Sequence, residues 1–544
     1  MGEVRYLYGA AVQGIQSFIF QTNKLREIVG ASELVEEICT SKFAKLLGKK
    51  GYYPDLKKQL EDDENCILHA AGNIKYIFGE EADCAKIVRE FPKSISEFAP
   101  GVTVSQAVVK FDGKDFEKAV NELEKRLRTQ RNKPMRSATL GLMSIERSRQ
   151  TGLPVVYVED EKTHLDAGTF AKLQYVWETK DGKRIAKRHT TKNLCVKAFY
   201  DDVKDDQIAY EIEDVTQNND WIAIIHADGN GLGQVVQKVG KYQKLFKQFS
   251  EKLDEVTTFS AQEAFEAVKN QFNNSKKKPD FIPIRPIVLG GDDLTVICRA
   301  DLALDYVKTF ISRFEENTRN LLKDDDGVSL LNNVFENESD KRLTACAGIA
   351  YIKSSFPFYY GYELAETLCS LAKKDAKDKQ EIKDGKELPK SCLMFHKVQD
   401  SFTEDWSEIA KRELTPQGNI SFQFGPYYLY EKDGRMTINK LKELANKLDS
   451  KEGNAVKSHL RQWMSMLHDN PEMANQKLLR LISMTNDKKN KERYELNKQI
   501  NCNNKESENG FKTFMYNKDG DFKTPVYDIL AIHTVNTQTT KEDE

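Results

Sequence analysis

Hydrophobic periodicity divides the chain into two similar stretches and a helical remainder. The first stretch opens with the apolar run Tyr6–Ala11 (YLYGAA), which reads as a strand. It passes through VQGIQ into apolar positions at helical spacing, predicting one long amphipathic helix from about Ser17 to Leu47. A hairpin is expected over Cys66–Phe78 (CILHAAGNIKYIF), then a helix, a strand from Val102 (VTVSQAVV) and a helix from Asp115 (DFEKAVNELEKRLR). The second stretch repeats this order. Trp221–Asp228 (WIAIIHAD) is the strand, and GNGLG leads into a helical region reaching about Lys269. PIVLGGDDLTVIC (Pro286–Cys298) is the hairpin, LTACAGIAYI from Leu343 the next strand, and ELAETLCSLAKKDAK from Glu363 the last helix.

The two copies align with Ala11 on Asp228, Asn73 on Asp293 and Thr103 on Thr344. The last interval is longer in the second copy, and the polar stretch Lys323–Lys341 accounts for it as a surface insertion. Each copy reads as βαββαβ, a ferredoxin-like palm, so an α+β fold is expected. The expected domains are a degenerate first palm (1–133), an inter-palm insertion (134–219), a second palm (220–400) and a C-terminal helical domain (401–544). The insertion holds the basic run Thr179–Lys192, which by itself reads as a solvated loop or hairpin. In the last domain TINKLKELANKLDS, NAVKSHLRQWMSMLHD and PEMANQKLLRLISM show helical spacing. Asn486–Gly510 reads as a charged linker, and VYDILAIHTV (Val526–Val535) is expected to dock back.

The 544 residues suit about three to four domains. With 82 Lys and Arg against 84 Asp and Glu, the net charge of −2 excludes a polybasic binder but not local basic patches. No apolar run approaches the roughly eighteen residues of a membrane span, so no membrane association is expected. The N-terminus lacks the basic and apolar regions of a signal peptide. Nine cysteines, none in a C-x-x-C pair, read as reduced, buried thiols of a cytoplasmic protein.

The chemistry concentrates in the second palm. Asp228 ends a strand and precedes Gly229-Asn230-Gly231-Leu232-Gly233, a turn whose free backbone N–H groups suit a triphosphate. Asp292 and Asp293 follow Gly290-Gly291 at a hairpin tip, where glycines permit positive φ and close approach of a phosphate. In a palm the two strand ends are neighbours, and three carboxylates meeting there call for hard cations, Mg²⁺ or Mn²⁺, with ATP-like phosphates as further ligands. Lys373, Lys374 and Lys377 on the last helix could reach those phosphates, although each reads as well as part of a solvated face. GGDD alone is often only a turn, and a strand-end Asp is often a helix cap; the conjunction at palm spacing is what carries weight. The first palm has Ala11, Gly72 and Asn73 at the acidic positions and cannot hold the metals, but it keeps Gly14 at the Gly231 position. It is expected to serve as scaffold or as a second nucleotide pocket.

At these residues the chain resembles the large, polymerase-cyclase subunit of type III CRISPR effector complexes, the Cas-ten family in its Cmr-two branch. The resemblance rests on YGAAVQGIQSFIFQTNKLREIVGASELVEEI, IAIIHADGNGLGQVV, VLGGDDLTVI, AGIAYIKSSFPF with its AETLCSLAKKDAK helix, and SCLMFHKVQDSF from Ser391. It covers both palms and, more loosely, the helical C-terminus. It implies conversion of ATP to cyclic oligoadenylate on target-RNA binding, for antiviral defence. It also implies partner subunits and guide RNA. Asp228, Asp292 and Asp293 would then hold the metals, while Gly229–Gly231, Lys373 and Lys377 would face the triphosphate. Gly30 and Ser32 would line the second nucleotide site. Many members begin with an HD nuclease domain; here a palm starts at about residue 4, so no DNase activity is expected. Many also carry a zinc site in a C-x-x-T-G context. Ser148-Arg149-Gln150-Thr151-Gly152 lacks that cysteine, which puts zinc in doubt. Other readings stay open at this stage: transfer of AMP to S-adenosylmethionine, a catalytically silent RNA-binding scaffold, and a free-standing GGDEF-type signalling cyclase.

Overall fold

Strand β1 (Arg5–Gln13) leads through α1 (Ile15–Phe20), α2 (Leu25–Glu37) and α3 (Asp55–Glu61) to the hairpin β2 (Cys66–Ala70) and β3 (Asn73–Phe78). Helix α4 (Glu81–Phe98), β4 (Thr103–Phe111) and α5 (Phe116–Arg131) complete the unit. Its antiparallel sheet, ordered β2-β3-β1-β4, is that of a βαββαβ palm. The computed structural model describes residues 4–540 except 71, 114, 134–143, 159–162, 181–182, 187–192, 200–202, 218–220, 274–280, 325, 333, 335–340, 378–388, 401–404, 417–419, 433–434, 486–492, 494–495, 497–499, 501–514 and 517–521.

The intervening segment supplies α6 (Ala167–Val176) and α7 (Asn193–Phe199). The second palm follows with β5 (Trp221–Gly229), α8 (Leu232–Val239), α9 (Gln243–Asn273), β6 (Ile284–Gly290), β7 (Asp293–Arg299), α10 (Ala303–Leu321), β8 (Ala345–Lys353) and α11 (Phe358–Lys377). Its sheet begins in the same order, β6-β7-β5-β8, and is extended by β9 (Cys392–Lys397), parallel to β8, and by β10 (Tyr427–Tyr428). The repeat holds at the level of single rungs. In the first palm Ala11 pairs with Asn73 on one side and Ser105 on the other. In the second, Asp228 pairs with Cys346, and the last rung between β7 and β5 is Leu294 with Ala227, the residues adjoining Asp293 and Asp228.

Side chains alternate across β5 and so reach two different cores. Trp221, Ala223, Ile225 and Ala227 pack with α9, α10 and the C-terminal helices. Ile222 and Ile224 pack with residues of the first palm. The intervening segment fills gaps between the palms: Val176 of α6 belongs to the first-palm core, while Leu194, Cys195, Ala198 and Phe199 of α7 are buried in the second. The C-terminal part contributes α12 (Ile438–Lys447), α13 (Lys451–Asp469), α14 (Pro471–Thr485) and α15 (Val526–Thr540). The last of these docks as the sequence predicts, with Val526, Ile529, Ile532 and Val535 almost fully buried. Eight described cysteines are buried and unbridged, as expected.

Several expectations need correction. The long helix predicted over Ser17–Leu47 is interrupted between α1 and α2, where Thr22 and Asn23 turn their side chains to partners. Thr22 bonds the buried Glu27, and Asn23 accepts from the Phe358 amide of the second palm. Helical periodicity continues across such a break because the packed face continues. The Lys323–Lys341 stretch is not wholly superficial, since Leu330 and Leu331 plug into the second-palm core. The C-terminal part is not wholly helical either: Ile420–Ser421, Phe522–Lys523 and Met515–Tyr516 form a small sheet. The basic run begins, as one of the two expected readings had it, in a hairpin, Trp177–Lys180 with Lys183–Ala186, and most of the Asn486–Gly510 linker lies outside the described residues.

Candidate active site

Strand parity places the site. His226 and Asp228 share the face of β5 that carries Ile222 and Ile224 toward the first palm; Asp293 and Thr295 share the corresponding face of β7 with Ile297. Asp292 occupies the two-residue turn between the paired Gly290 and Asp293, after Gly291 at φ 61°. The turn folds the Asp292 carboxylate over β5. A Cβ on Gly229 would come within 2.9 Å of Asp292 Oδ2, so a larger residue there would have to displace the Asp292 side chain. The three sequence-predicted carboxylates therefore converge.

The cluster is electrostatically strained. Burial, reinforced by the charges of Asp293 and Asp228, holds Asp292 well above the ordinary carboxylate range. Burial and Asp228 push Asp293 up to about 7. Lys373 of α11 donates to Asp228 Oδ2 and to the Gly229 carbonyl, 3.0 Å away. Burial works against its ammonium charge, but the charge and hydrogen bond of Asp228, with Cys369 and Asp292 behind it, leave the Lys373 pKa raised. Crowded anions that need a cation, offered as carboxylate oxygens, fit Mg²⁺ or Mn²⁺. One ligand atom from each of His226, Asp228 and Asp293 lies within 4.8 Å of the others.

Other predicted positions fall into two groups. Ser370, Lys373, Lys374 and Lys377 line an open groove of about 450 Å³ along α11. Gly231, at φ 72°, starts α8 as Gly14, at φ 71°, starts α1 in the first palm. Asn230, in contrast, points inward: it is fully buried, its Nδ2 lies 3.1 Å from Thr344 Oγ1, and its amide N–H bonds the Thr344 carbonyl. It shapes the turn and does not face a triphosphate. Gly290 is buried, whereas Gly291 is partly open.

Between the palms lies a cavity of about 460 Å³, walled by the Gln13–Ser17 turn of the first palm and by Asp293, Tyr359 and Glu366 of the second. That volume suits a nucleotide-sized ligand. Ser32 borders this cavity, but its hydroxyl is committed to the Ile287 carbonyl. Gly30 does not line it. A Cβ there would lie 2.1 Å from the Lys172 carbonyl oxygen, so Gly30 exists to let α2 touch α6. Gly30→Ala is accordingly expected to destabilise the fold by about 2–3 kcal/mol, read as a melting temperature lowered by several degrees. Nucleotide affinity per folded molecule should not change.

Sequence reasoning missed His226 and Glu366. His226 lies two residues before Asp228, hence on the same face, which was the available signal. Its Nδ1 sits 3.2 Å from Thr295 Oγ1, and burial pushes its pKa down to about 4, keeping the imidazole neutral. Glu366 receives Gln16 from the first palm at 3.4 Å, a contact that no pattern within either copy announces. The Ser148–Gly152 turn is tied into a polar network, with Gln150 Nε2 2.9 Å from the buried Glu27 and Thr151 Oγ1 2.9 Å from Asp166.

Residues 221–383 match the family model described as Cas10/Cmr2, second palm domain. A comparison with curated protein sequences gives no match. Among solved structures, the Csm1-Csm4 cassette in complex with pppApA is similar, with TM-score 0.53 and 14% identity over 99% of this chain and 69% of that chain. The same cassette with AMPPNP gives TM-score 0.51 and 13% identity, covering 99% and 70% of the two chains. With cA4 it gives 0.50 and 13%, over 99% and 70%. At these identities the likeness concerns the fold, which extends through both palms and the C-terminal part. Among the described residues no helix is long and apolar enough to cross a membrane.

Proposed function

We propose that this chain, whose residues 221–383 are a second palm of the Cas10/Cmr2 type, is the nucleotidyltransferase subunit of a type III CRISPR effector complex and joins ATP into cyclic oligoadenylate. The observation that carries the reading is the convergence of Asp228, Asp292 and Asp293 beside Lys373, at the edge of a cavity shared with the first palm. In the reaction a 3′-hydroxyl of one nucleotide attacks the α-phosphate of another, and pyrophosphate leaves. Divalent cations bound by the carboxylates would favour ionisation of that hydroxyl and neutralise charge on the leaving group. Lys373 and Lys377 offer ammonium donors along the groove for the triphosphate of one ATP. The Gln13–Ser17 turn, which has no acidic residue, offers backbone and amide donors to the second nucleotide across the cavity.

Partner subunits of the Csm4 type and guide and target RNA belong to this reading, because the similar solved chains are in cassettes with Csm4. The test is to purify the native assembly, add ATP, Mn²⁺ or Mg²⁺ and target RNA, and weigh the products. Cyclic oligoadenylate with pyrophosphate supports the proposal. An AMP conjugate formed only with added S-adenosylmethionine would change the acceptor. Absence of pyrophosphate under all these conditions would leave a scaffold.

A further inference from the structure

Beside the hairpin that carries Asp292 and Asp293, charged residues from three separate segments meet. Asp254 of α9 receives the Gly291 amide N–H at 3.3 Å, and one helical turn later Thr257 Oγ1 lies 2.5 Å from the Gly291 carbonyl oxygen. The same face of α9 thus grips both backbone polar groups of the residue before Asp292. Lys197 of α7 bonds both Asp254 oxygens, at 2.8 and 3.1 Å, and also donates to the Leu289 carbonyl at 2.9 Å. Lys57 of α3, in the first palm, reaches Asp254 Oδ2 at 3.3 Å. The side chains of Lys197 and Asp254 are only 12% and 19% exposed, which limits solvent screening and fixes the pair in place. The turn itself, Gly291-Asp292, has no apolar side chain to anchor it.

We propose that the Lys197–Asp254 pair is a positioning device for the hairpin: it sets the height of Asp292 and Asp293 against Asp228 and makes that setting depend on the inter-palm segment that carries Lys197. The inference rests on the metal-binding reading of the three aspartates. Lys197 and Asp254 touch no reacting group; they act through the backbone of residues 289–291. Because α7 is packed into the second-palm core while α3 belongs to the first palm, a shift between these bodies would be passed to the hairpin tip through Asp254.

The experiment measures Mn²⁺ binding to the folded full-length protein by electron paramagnetic resonance, without turnover, with melting temperature as the control for folding. Lys197→Met keeps the buried stem and removes the ammonium. It is expected to raise the half-saturating Mn²⁺ concentration about tenfold, the usual size of a lost outer-shell support. Lys197→Arg, which can still span Asp254 and the Leu289 carbonyl, should restore most of the affinity. Thr257→Val, a milder change, should shift affinity the same way by about threefold and keeps the test open should Lys197→Met fail to fold. A lower melting temperature with Mn²⁺ affinity unchanged in either folded variant overturns the proposal and leaves a structural ion pair. Failure of the unsubstituted protein to bind Mn²⁺, or binding that survives Asp228→Ala, would instead overturn the metal-site reading itself.

Discussion

Asp293→Asn in the assembled protein is expected to lower product formation from ATP by at least about a thousandfold, while making the metal-free chain more stable. The two effects have one cause. Asp292 and Asp293 are buried beside Asp228, and burial together with the neighbouring charges opposes their ionisation unless a cation offsets it. Asn keeps the shape and removes one charge, which eases the repulsion and deletes an anionic ligand. The folded-state pKa of Asp293 is raised to about 7, so its contribution to stability is full at low pH and lost as pH rises through about 7. The melting-temperature gain of the variant should therefore be largest above pH 7 and shrink toward pH 4. Mn²⁺ should raise the melting temperature of the unsubstituted protein by mass action and do little for the variant. Pyrophosphate release and thermal melts with and without Mn²⁺ read all three effects; turnover within tenfold of the unsubstituted protein would contradict the assigned role of Asp293.

Much of this site was legible because a palm translates sequence spacing into rungs. Aligning Asn73 with Asp293 and Ala11 with Asp228 agrees with the pairing of Ala11 with Asn73 in the first sheet and of Leu294 with Ala227, one position inward, in the second. The matching left-handed glycines 14 and 231 follow from the same turn chemistry. What was not legible depends on the opposite copy or on distant segments. Asn230 sits in a Gly-Asn-Gly turn that reads as a phosphate loop, yet Thr344, more than a hundred residues away, draws its side chain inward. Gly30 resembles a site glycine until α6 is seen against it. The extension of the second sheet by β9 was not read from the sequence, because the four consecutive apolar residues of CLMFHK have no distinguishing period. Residues 226, 254 and 366 acquire meaning only when neighbouring elements are in place.

Lys373→Met should be the next most damaging change, lowering the turnover number by about a hundredfold or more, with a smaller effect on KM for ATP. Its ammonium is the only cation among the described residues that bonds Asp228, and it also reaches the Gly229 carbonyl at 3.0 Å, at the point where β5 turns into α8. A group held there stands next to the three carboxylates and borders the Lys374–Lys377 groove, so in the proposed reaction its charge would act where negative charge accumulates as pyrophosphate departs. Methionine preserves the apolar stem and with it the packing of α11, which separates loss of charge from loss of fold. Arginine should rescue poorly, because its planar fork does not replace a compact ammonium between one carboxylate and one carbonyl. Lys377 lies one helical turn further along the same groove and is exposed; Lys377→Met should change KM by only a few-fold, and that change should fade at high salt. Steady-state kinetics of the three variants at two ionic strengths decide the ranking. Were Lys377→Met to cost more turnover than Lys373→Met, the triphosphate would have to lie further out along α11, and the Lys373–Asp228 contact would be structural.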